Sequence, residues 1–325
     1  MKMEHPKLLE IFRQNEGKYL SGEEISKRLS ISRTAVWKQI NKLREEGFEF
    51  EAVSRKGYRL IHSPDKLEPQ AVLQGLRTRS FGRSLKIVEV TTSTQEEVRL
   101  LAEQGAPSGA LVLAEEQTGG RGRQGRKWFS PPRKGVWMSL LLRPERPLSF
   151  APQLTLLIAV AVCRAIRKTS GVDAGIKWPN DLLVQGKKVC GILVESVSED
   201  ERIRYCIAGI GIDVNVEAHE LPGDLQAVAT SLKIESGRNQ DRVALITAVM
   251  NELEDLYTLY EQEGFTPIKH LWEALSVTLG KRVAVKTPQG EISGVADALD
   301  ESGALILLDD KGKPFPLFSG EVHLS

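Results

Sequence analysis

Hydrophobic positions in residues 1–62 recur first at helical and then at strand spacing. Leu8, Leu9 and Phe12 share one face of a first predicted helix, and Ile25 and Leu29 form an i,i+4 pair in a second. Ser21 and Glu24 read as a capping box opening that second helix. Ser30-Ile31-Ser32 makes a turn, and a third helix buries Val36, Ile40 and Leu43 and stops at Gly47. Phe48, Phe50 and Ala52 then alternate, Arg55-Lys56-Gly57 breaks the run, and Tyr58 and Leu60 resume it, which predicts a hairpin. Three short helices followed by a hairpin predict a winged helix-turn-helix.

A polar, proline-bounded stretch at 63–69 reads as a linker. Beyond it, helical and strand patterns alternate over 70–276. Strands are predicted around 84–90, 109–117 and 135–144, with a helix starting at Ser93 or Thr94 and ending at Gly105. A buried helix is predicted over 152–170, and strands over 176–184, 188–197 and 202–216. An amphipathic helix over 241–262 closes this part. The last three strands are joined by hairpins, not helices, so the expected class is α+β with a mixed sheet. Short strands separated by turn residues over 277–325 predict a small SH3-like β-barrel. The expected organisation is therefore 1–62, a 63–69 linker, 70–276 and 277–325.

Composition adds exclusions. The chain has 325 residues, 41% hydrophobic and 27% charged, as in folded soluble proteins. Its start lacks the apolar core of a secretory signal, and the apolar run over 154–162 is shorter than the roughly 20 residues a bilayer needs. The expected location is cytoplasmic, with no membrane partner. Cys163, Cys190 and Cys206 read as reduced, buried thiols, and no His or Cys spacing suggests a structural metal. Net charge is +1, yet residues 1–62 hold 13 Lys and Arg against 9 Asp and Glu, while the remainder holds 31 against 34. The basic side chains cluster where such a fold meets DNA. The third helix presents Ser32, Arg33, Thr34, Trp37 and Lys38, and the hairpin tip presents Arg55 and Lys56.

The central stretch "QTGGRGRQGRKWF" packs four glycines, three arginines and a lysine into one loop. Its G-x-G-x-x-G spacing is not a dinucleotide fingerprint, because "RKWFSPPRKGVW" follows and starts no helix. Nor does a Gly-Lys-Ser/Thr close it as a phosphate loop. Glycines let backbone approach an anion, and arginine forks donate to phosphate or carboxylate oxygens. The composition therefore suits a clamp that is disordered alone and ordered by an anionic ligand. In "KWPNDLLVQGKKVCGILVE", Lys177, Asn180 and Asp181 precede or begin one strand and Lys188 begins its partner. Lys188 suits a half-buried amine facing an anion. Asn180 and Asp181 suit either a nucleotide and hydrated magnesium or ordinary turn chemistry after Pro179.

"STQ" at 93–95, "EQTGGRGRQGRKW" at 116–128, "KWPND" at 177–181, "GKKVCGILVE" at 186–195 and "GIGIDVN" at 209–215 resemble, in order and spacing, the biotin–protein ligases. With the N-terminal helices, the chain resembles the bifunctional ligases that also repress a biotin operon. That resemblance implies ATP and biotin as substrates with Mg2+, a biotinyl-5′-adenylate intermediate, and transfer to a lysine of a carboxylase's biotin carboxyl carrier domain. It further implies operator DNA and a homodimer as partners. By position, Lys188, Arg121 and Arg123 would be catalytic. Ser93, Thr94, Gln95, Gln117 and Gly122, with Arg121, Arg123 and Lys188, would hold biotin. Gly120, Arg126, Lys177, Asn180 and Asp181 would hold the nucleotide. No protein cage for the metal is implied; it would come with ATP, near Asp181. Two positions depart from the family pattern: Asp213 stands where asparagine is usual, which keeps it out of the expected site, and Gln124 where a basic residue is frequent. The fold leaves two other readings open, a lipoate–protein ligase-like enzyme and a non-catalytic ligand-sensing regulator.

Overall fold

Three helices form where apolar spacing predicts them: α1 (His5–Gln14), α2 (Gly22–Leu29) and α3 (Arg33–Glu45). The computed structural model describes residues 5–15, 17–45, 48–62, 65–287, 290–320 and 322–324, so Gly47, the expected terminator of α3, lies outside the described residues. Leu8, Leu9, Phe12, Ile25, Val36, Ile40, Leu43, Phe48 and Phe50 form one buried cluster. Ser21 Oγ accepts from Glu24 N at 3.1 Å. The Glu24 carboxylate takes Arg28 at 2.7 Å, so the observed cap is this serine bond. Strands β1 (Glu49–Val53) and β2 (Gly57–His62) pair antiparallel. Gly57 has φ 104° and lies against the Leu20 carbonyl and Ser21 Cα, where a Cβ has no room. Ala52, expected to face inward, is exposed: the small core ends at Phe50.

The chain divides into two compact units, Met1–Lys66 and Leu67–Ser325. The second begins with α4 (Pro69–Gly75) and continues β3 (Leu85–Thr91), α5 (Thr94–Glu103), β4 (Leu111–Gln117), β5 (Gly135–Leu142) and α6 (Ala151–Ser170). Next come β6 (Gly175–Lys177), β7 (Asp181–Val184), β8 (Lys187–Glu199), β9 (Arg202–Asp213), α7 (Leu232–Ser236), α8 (Arg242–Glu263) and α9 (Thr266–Leu275). Seven strands form one sheet in the order β3-β4-β5-β9-β8-β7-β6. Only β3 and β4, joined across α5, run parallel; every other neighbour is antiparallel. This is the mixed sheet expected from hairpin connections. The expected strand over 176–184 is instead two short antiparallel strands folded back at Trp178-Pro179-Asn180, because proline and its neighbours turn the chain. α9 was not foreseen; Ile268 and Trp272, four residues apart, are its buried face.

β4 and β5 are buried on both faces, which is why they read as near-continuous apolar runs. Leu111, Leu113, Met138 and Leu140 join the core that includes α6 and α8, while Val112, Leu141, Tyr205 and Ile207 pack with Val98 and Ala102 of α5. Segment Leu148–Ser170 is long and apolar enough to cross a membrane by length and composition. In the fold most of α6 is buried in this core. Leu67, placed in the linker by its polar neighbours, is buried there too.

The tail adds β10 (Arg282–Thr287), β11 (Gly290–Leu299), β12 (Leu305–Leu308), β13 (Pro314–Leu317) and β14 (Val322–Leu324), an antiparallel sheet in the order β13-β12-β11-β10-β14. Its inner residues Val283, Val285, Leu305 and Leu307 belong to the main core cluster.

Candidate active site

Along β9, alternate residues on one face read Tyr205, Ile207, Gly209, Gly211, Asp213. The first two are buried under α5. The glycines then drop the side-chain height to zero, and Gly191 of β8 pairs with Gly211 to widen the bare patch. A cavity of about 300 Å³ opens on this floor.

The N-terminus of α5 forms one wall. Ser93 caps the helix, its Oγ accepting from Gln95 N at 3.3 Å. Thr94 donates from N and Oγ to Gln117 Oε1 at 2.9 and 3.1 Å, and Thr94 Oγ lies 2.7 Å from Ser139 Oγ. Gln117 Nε2 donates to Ser130 Oγ at 3.1 Å, and Gln95 Nε2 donates to the Leu193 carbonyl at 3.1 Å. These side chains are held in place before any ligand arrives.

The glycine-arginine loop forms the roof as a hoop closed on itself. Gly122 N donates to Arg126 O at 2.7 Å and Trp128 N to Gly120 O at 2.9 Å. Gln124 and Gly125, with φ 57° and 73°, make its tip. Arg123 Nη1 donates to Asn180 Oδ1 at 3.1 Å and to the Gly320 carbonyl at 3.4 Å, fastening the hoop to the turn after β6 and to the C-terminal sheet. Arg121 pairs with Glu96 at 2.9 Å, both half-exposed, a contact an anion displaces at little cost.

Lys188 stands on the floor. Its Nζ is 2.6 Å from Asp181 Oδ1 and 5.2 Å from the Trp128 ring centre. Its backbone pairs with Val228 and Thr230, which brings Leu221, Leu225, Val228 and Ala229 to the cavity's edge. Five buried side-chain polar atoms among the described residues have no hydrogen-bond partner, and three of them line this cavity: Trp128 Nε1, Asp181 Oδ1 and Asp213 Oδ1. Asp181 Oδ1 has Lys188 beside it as an ion pair but no aligned hydrogen bond. Buried polar atoms left bare in one place point to a ligand that completes them.

Of the residues expected at the site, Ser93, Thr94, Gln95, Gln117, Arg121, Gly122, Arg123, Arg126, Lys177, Asn180, Asp181 and Lys188 all line the cavity. Gly120 does not line it. A Cβ there would lie 2.8 Å from Ser130 Oγ and from the Trp128 carbonyl, so its part is close packing behind the wall. The Asn180 amide is engaged by Arg123 at Oδ1 and by the Ile192 carbonyl at Nδ2, so it braces the site. Trp128, Asp213 and the 221–229 segment were not expected. The alternation G-x-G-x-D in β9 was the available signal, a strand face with its side chains removed. Burial pushes the Asp213 carboxyl well above the usual carboxylate range, partly opposed by Lys188. It also pushes the Cys190 thiol up, leaving it inert.

A resident divalent cation does not fit. Among the described residues no group of three His, Cys, Asp or Glu could hold one, and Asp181 is committed to Lys188.

The glycine floor is testable. A Cβ on Gly211 would overlap the Trp128 indole. Gly211→Ala is therefore expected to raise the dissociation constant of the cavity's ligand by about tenfold or more, read by calorimetric titration, while Gly223→Ala, which meets open space, leaves it unchanged.

In the first unit, Ser32 Oγ caps α3 by accepting from Ala35 N at 3.1 Å. Ser32, Arg33, Thr34, Trp37 and Lys38 are exposed along the start of α3, and Arg55 and Lys56 are exposed at the hairpin tip. They form one face of that unit's surface only through α3 and the β1–β2 turn, with none buried in its core.

Three family descriptions match the chain: an HTH domain over 6–59, the Biotin/lipoate A/B protein ligase family over 87–213, and the Biotin protein ligase C terminal domain over 278–325. The chain is 45% identical to the bifunctional ligase/repressor BirA of Bacillus subtilis, covering 98% of this chain and 97% of that protein. It is 34% identical to the Escherichia coli bifunctional ligase/repressor BirA over 95% and 94% of the two chains. Among solved structures, the biotin protein ligase from Aquifex aeolicus in complex with biotin and ATP aligns with a TM-score of 0.64 at 31% identity, covering 75% of this chain and 99% of that one. The cavity built on a glycine floor under an arginine hoop, preceded by a helix-turn-helix unit, thus has full-length counterparts, and the chain belongs to the family of bifunctional biotin–protein ligase/repressors.

Proposed function

We propose that this protein joins biotin to ATP as biotinyl-5′-adenylate, transfers the biotinyl group to a lysine of a biotin carboxyl carrier domain, and represses biotin genes when the adenylate is bound. The observation that carries the reading is the convergence of Arg121, Arg123, Arg126 and Lys188 with the Ser93–Thr94–Gln95–Gln117 network around one cavity. Biotin's carboxylate attacks the ATP α-phosphate, forming the mixed anhydride and releasing pyrophosphate. Both reactants are anions, so the reaction needs fixed positive charge at their junction. Lys188 supplies it from the floor once an incoming phosphate competes for the ammonium now on Asp181. The hoop's arginines supply it from above. The neutral donors and acceptors of Thr94, Gln95 and Gln117 suit the ureido end of biotin. The acceptor lysine then attacks the acyl carbon and AMP leaves. No side chain becomes covalently attached; positioning and exclusion of water do the work. The nucleotide enters as its magnesium complex, with Asp181 the expected neighbouring carboxylate.

In this reading Trp128 and the apolar 221–229 segment receive the base, and the β1–β2 hairpin acts as the wing of a winged helix-turn-helix. The C-terminal sheet completes an SH3-like barrel. Residues 1–62 and 70–276 act as the DNA-binding and ligase domains, 63–69 as linker and 277–325 as the C-terminal domain. The protein works in the cytoplasm, and two copies place two α3 helices on a two-fold operator.

Biotin-dependent exchange of labelled pyrophosphate into ATP tests the enzymatic half. Exchange with biotin and none with lipoate is expected. Binding of biotin with no exchange would leave a sensor, and lipoate-dependent exchange a different ligase. For the repressor half, gel-shift affinity for an inverted-repeat operator is expected to rise when biotin and ATP are added together. Arg33→Ala should weaken it and reduce its salt dependence by about one counterion; unchanged affinity in both arms contradicts DNA binding through α3.

A further inference from the structure

Asp213 ends β9 at the cavity wall. Its side chain is 6% exposed and its Oδ1 has no hydrogen-bond partner. Leaving such a group unsatisfied costs about 1–3 kcal/mol or more, and native folds keep one chiefly where something else completes it. It lies on the same strand face as Gly209 and Gly211, two residues beyond the glycine that carries the Trp128 indole. Leu221, Leu225 and Val228 line the cavity on the same side of Lys188 as the chain that follows β9. An aromatic ring, an apolar wall and one bare carboxyl together fit a flat group that is apolar on its faces and polar only at its edge, which is the description of a nucleobase.

We propose that Asp213 is a specificity-determining residue that reads the purine edge bearing the 6-amino group. One carboxyl oxygen accepts from the exocyclic amine, and the other donates its proton to the adjacent ring nitrogen. The proposal rests on the ATP-dependent reading given above and adds the residue that selects the base. A neutral carboxylic acid presents one donor and one acceptor side by side, the complement of an amine beside a ring nitrogen. An ionised carboxylate would present two acceptors and meet the ring nitrogen's lone pair.

The groups around Asp213 support the protonated form. From β8, Lys188 draws the carboxyl pKa down, but its ammonium is engaged by Asp181 of β7 at 2.6 Å. Cys190, also on β8, is a buried thiol with its own pKa raised, so it brings no charge. From β5 the residue opposite is Gly135, and that strand carries no ionisable side chain. After β9 the chain carries Glu217, His219 and Glu220. Glu217 pairs with Lys233 at 2.7 Å and Glu220 with Lys134 at 2.8 Å. Burial is the largest influence and raises the carboxyl's pKa. The sign follows: base binding needs the proton, so nucleotide affinity falls as pH rises through that raised value.

The test is pyrophosphate exchange on the full chain, with the KM for ATP compared with those for purine riboside triphosphate, which lacks the 6-amino group, and inosine triphosphate. The wild type should prefer ATP by about tenfold or more in KM, with little change in kcat. Asp213→Ala should bring the three values to within about threefold. Asp213→Asn, which keeps a donor beside an acceptor but cannot titrate, should retain the preference and flatten the rise of KM with pH. Equal KM values for all three nucleotides in the wild type, an arm that needs no variant, would overturn the proposal. So would an Asp213→Ala enzyme that keeps the wild-type preference, or an Asp213→Asn enzyme that loses it. Absence of exchange with every nucleotide would overturn the ligase reading itself, and this proposal with it.

Discussion

Replacing Arg242 by alanine should lower the unfolding free energy of the Leu67–Ser325 unit by about 3–5 kcal/mol. Arg242 and Glu115 have side-chain exposures of 0% and 2% and are paired at 2.7 Å. The same guanidinium nitrogen donates to the Gly135 carbonyl at 3.2 Å, and the second Glu115 oxygen accepts from Leu67 N at 2.6 Å. Removing the cation leaves a buried carboxylate whose remaining printed partner is one backbone N–H. It also unties the start of α8 from β4 and β5. The double change Arg242→Met with Glu115→Leu should recover much of the loss, because apolar residues of similar size replace the pair without a stranded charge. Urea unfolding followed through the buried tryptophans Trp137 and Trp272 reports this unit. As a control, Arg121→Ala, which removes a half-exposed pair with Glu96, should cost less than about 1 kcal/mol. A loss at Arg242 no greater than that would contradict the role given to the pair.

The second large effect is catalytic. Lys188→Ala should lower kcat for pyrophosphate exchange by about 10²–10³-fold, the usual consequence of deleting one preorganised charge at the reacting centre. Its Nζ touches only Asp181 and the Trp128 face, so its loss should leave the fold intact, and the unfolding midpoint should move little. Lys188→Arg keeps the charge but cannot occupy the narrow space above Gly191, where a Cβ would lie 3.2 Å from the Lys188 Cε. It should therefore rescue only in part. A kcat within threefold of the wild type in Lys188→Ala would remove this lysine from the chemistry.

Much of this site was legible before any coordinates. Periodicity located α1, α2, α3, α5, α6 and α8 because each carries an apolar stripe. It located β4 and β5 because strands covered on both faces are apolar throughout. The polar residues of α5 and the loop were identified by type and order. What sequence could not show was which polar groups spend themselves on the protein. Asn180 reads as a ligand contact, yet both ends of its amide are taken by Arg123 and Ile192. Gly120 reads as part of a phosphate cradle, yet its bareness serves Ser130 and Trp128. Asp213 was set aside as a departure from pattern; only its burial and its bare oxygen show that it faces the cavity. The single strand expected over 176–184 failed because Trp178 and Pro179 are apolar in type but turn the chain, and Trp178 is buried with its indole donating to Gly303. α9 was missed because Gly264 and Pro267 mask the short stripe of Ile268 and Trp272.

The claim on which the rest depends is that the hoop between Gly120 and Trp128 closes over a negatively charged adenylate. Its tip bears Arg121, Arg123, Arg126 and Lys127, all cleavage points for trypsin. Limited tryptic digestion of the full chain, with the fragments identified by mass, measures access to that tip. Biotin and ATP together should slow cleavage at these four residues by about tenfold or more relative to either alone, while cutting elsewhere is unchanged. Equal cleavage at the hoop with and without saturating biotin and ATP would contradict the account.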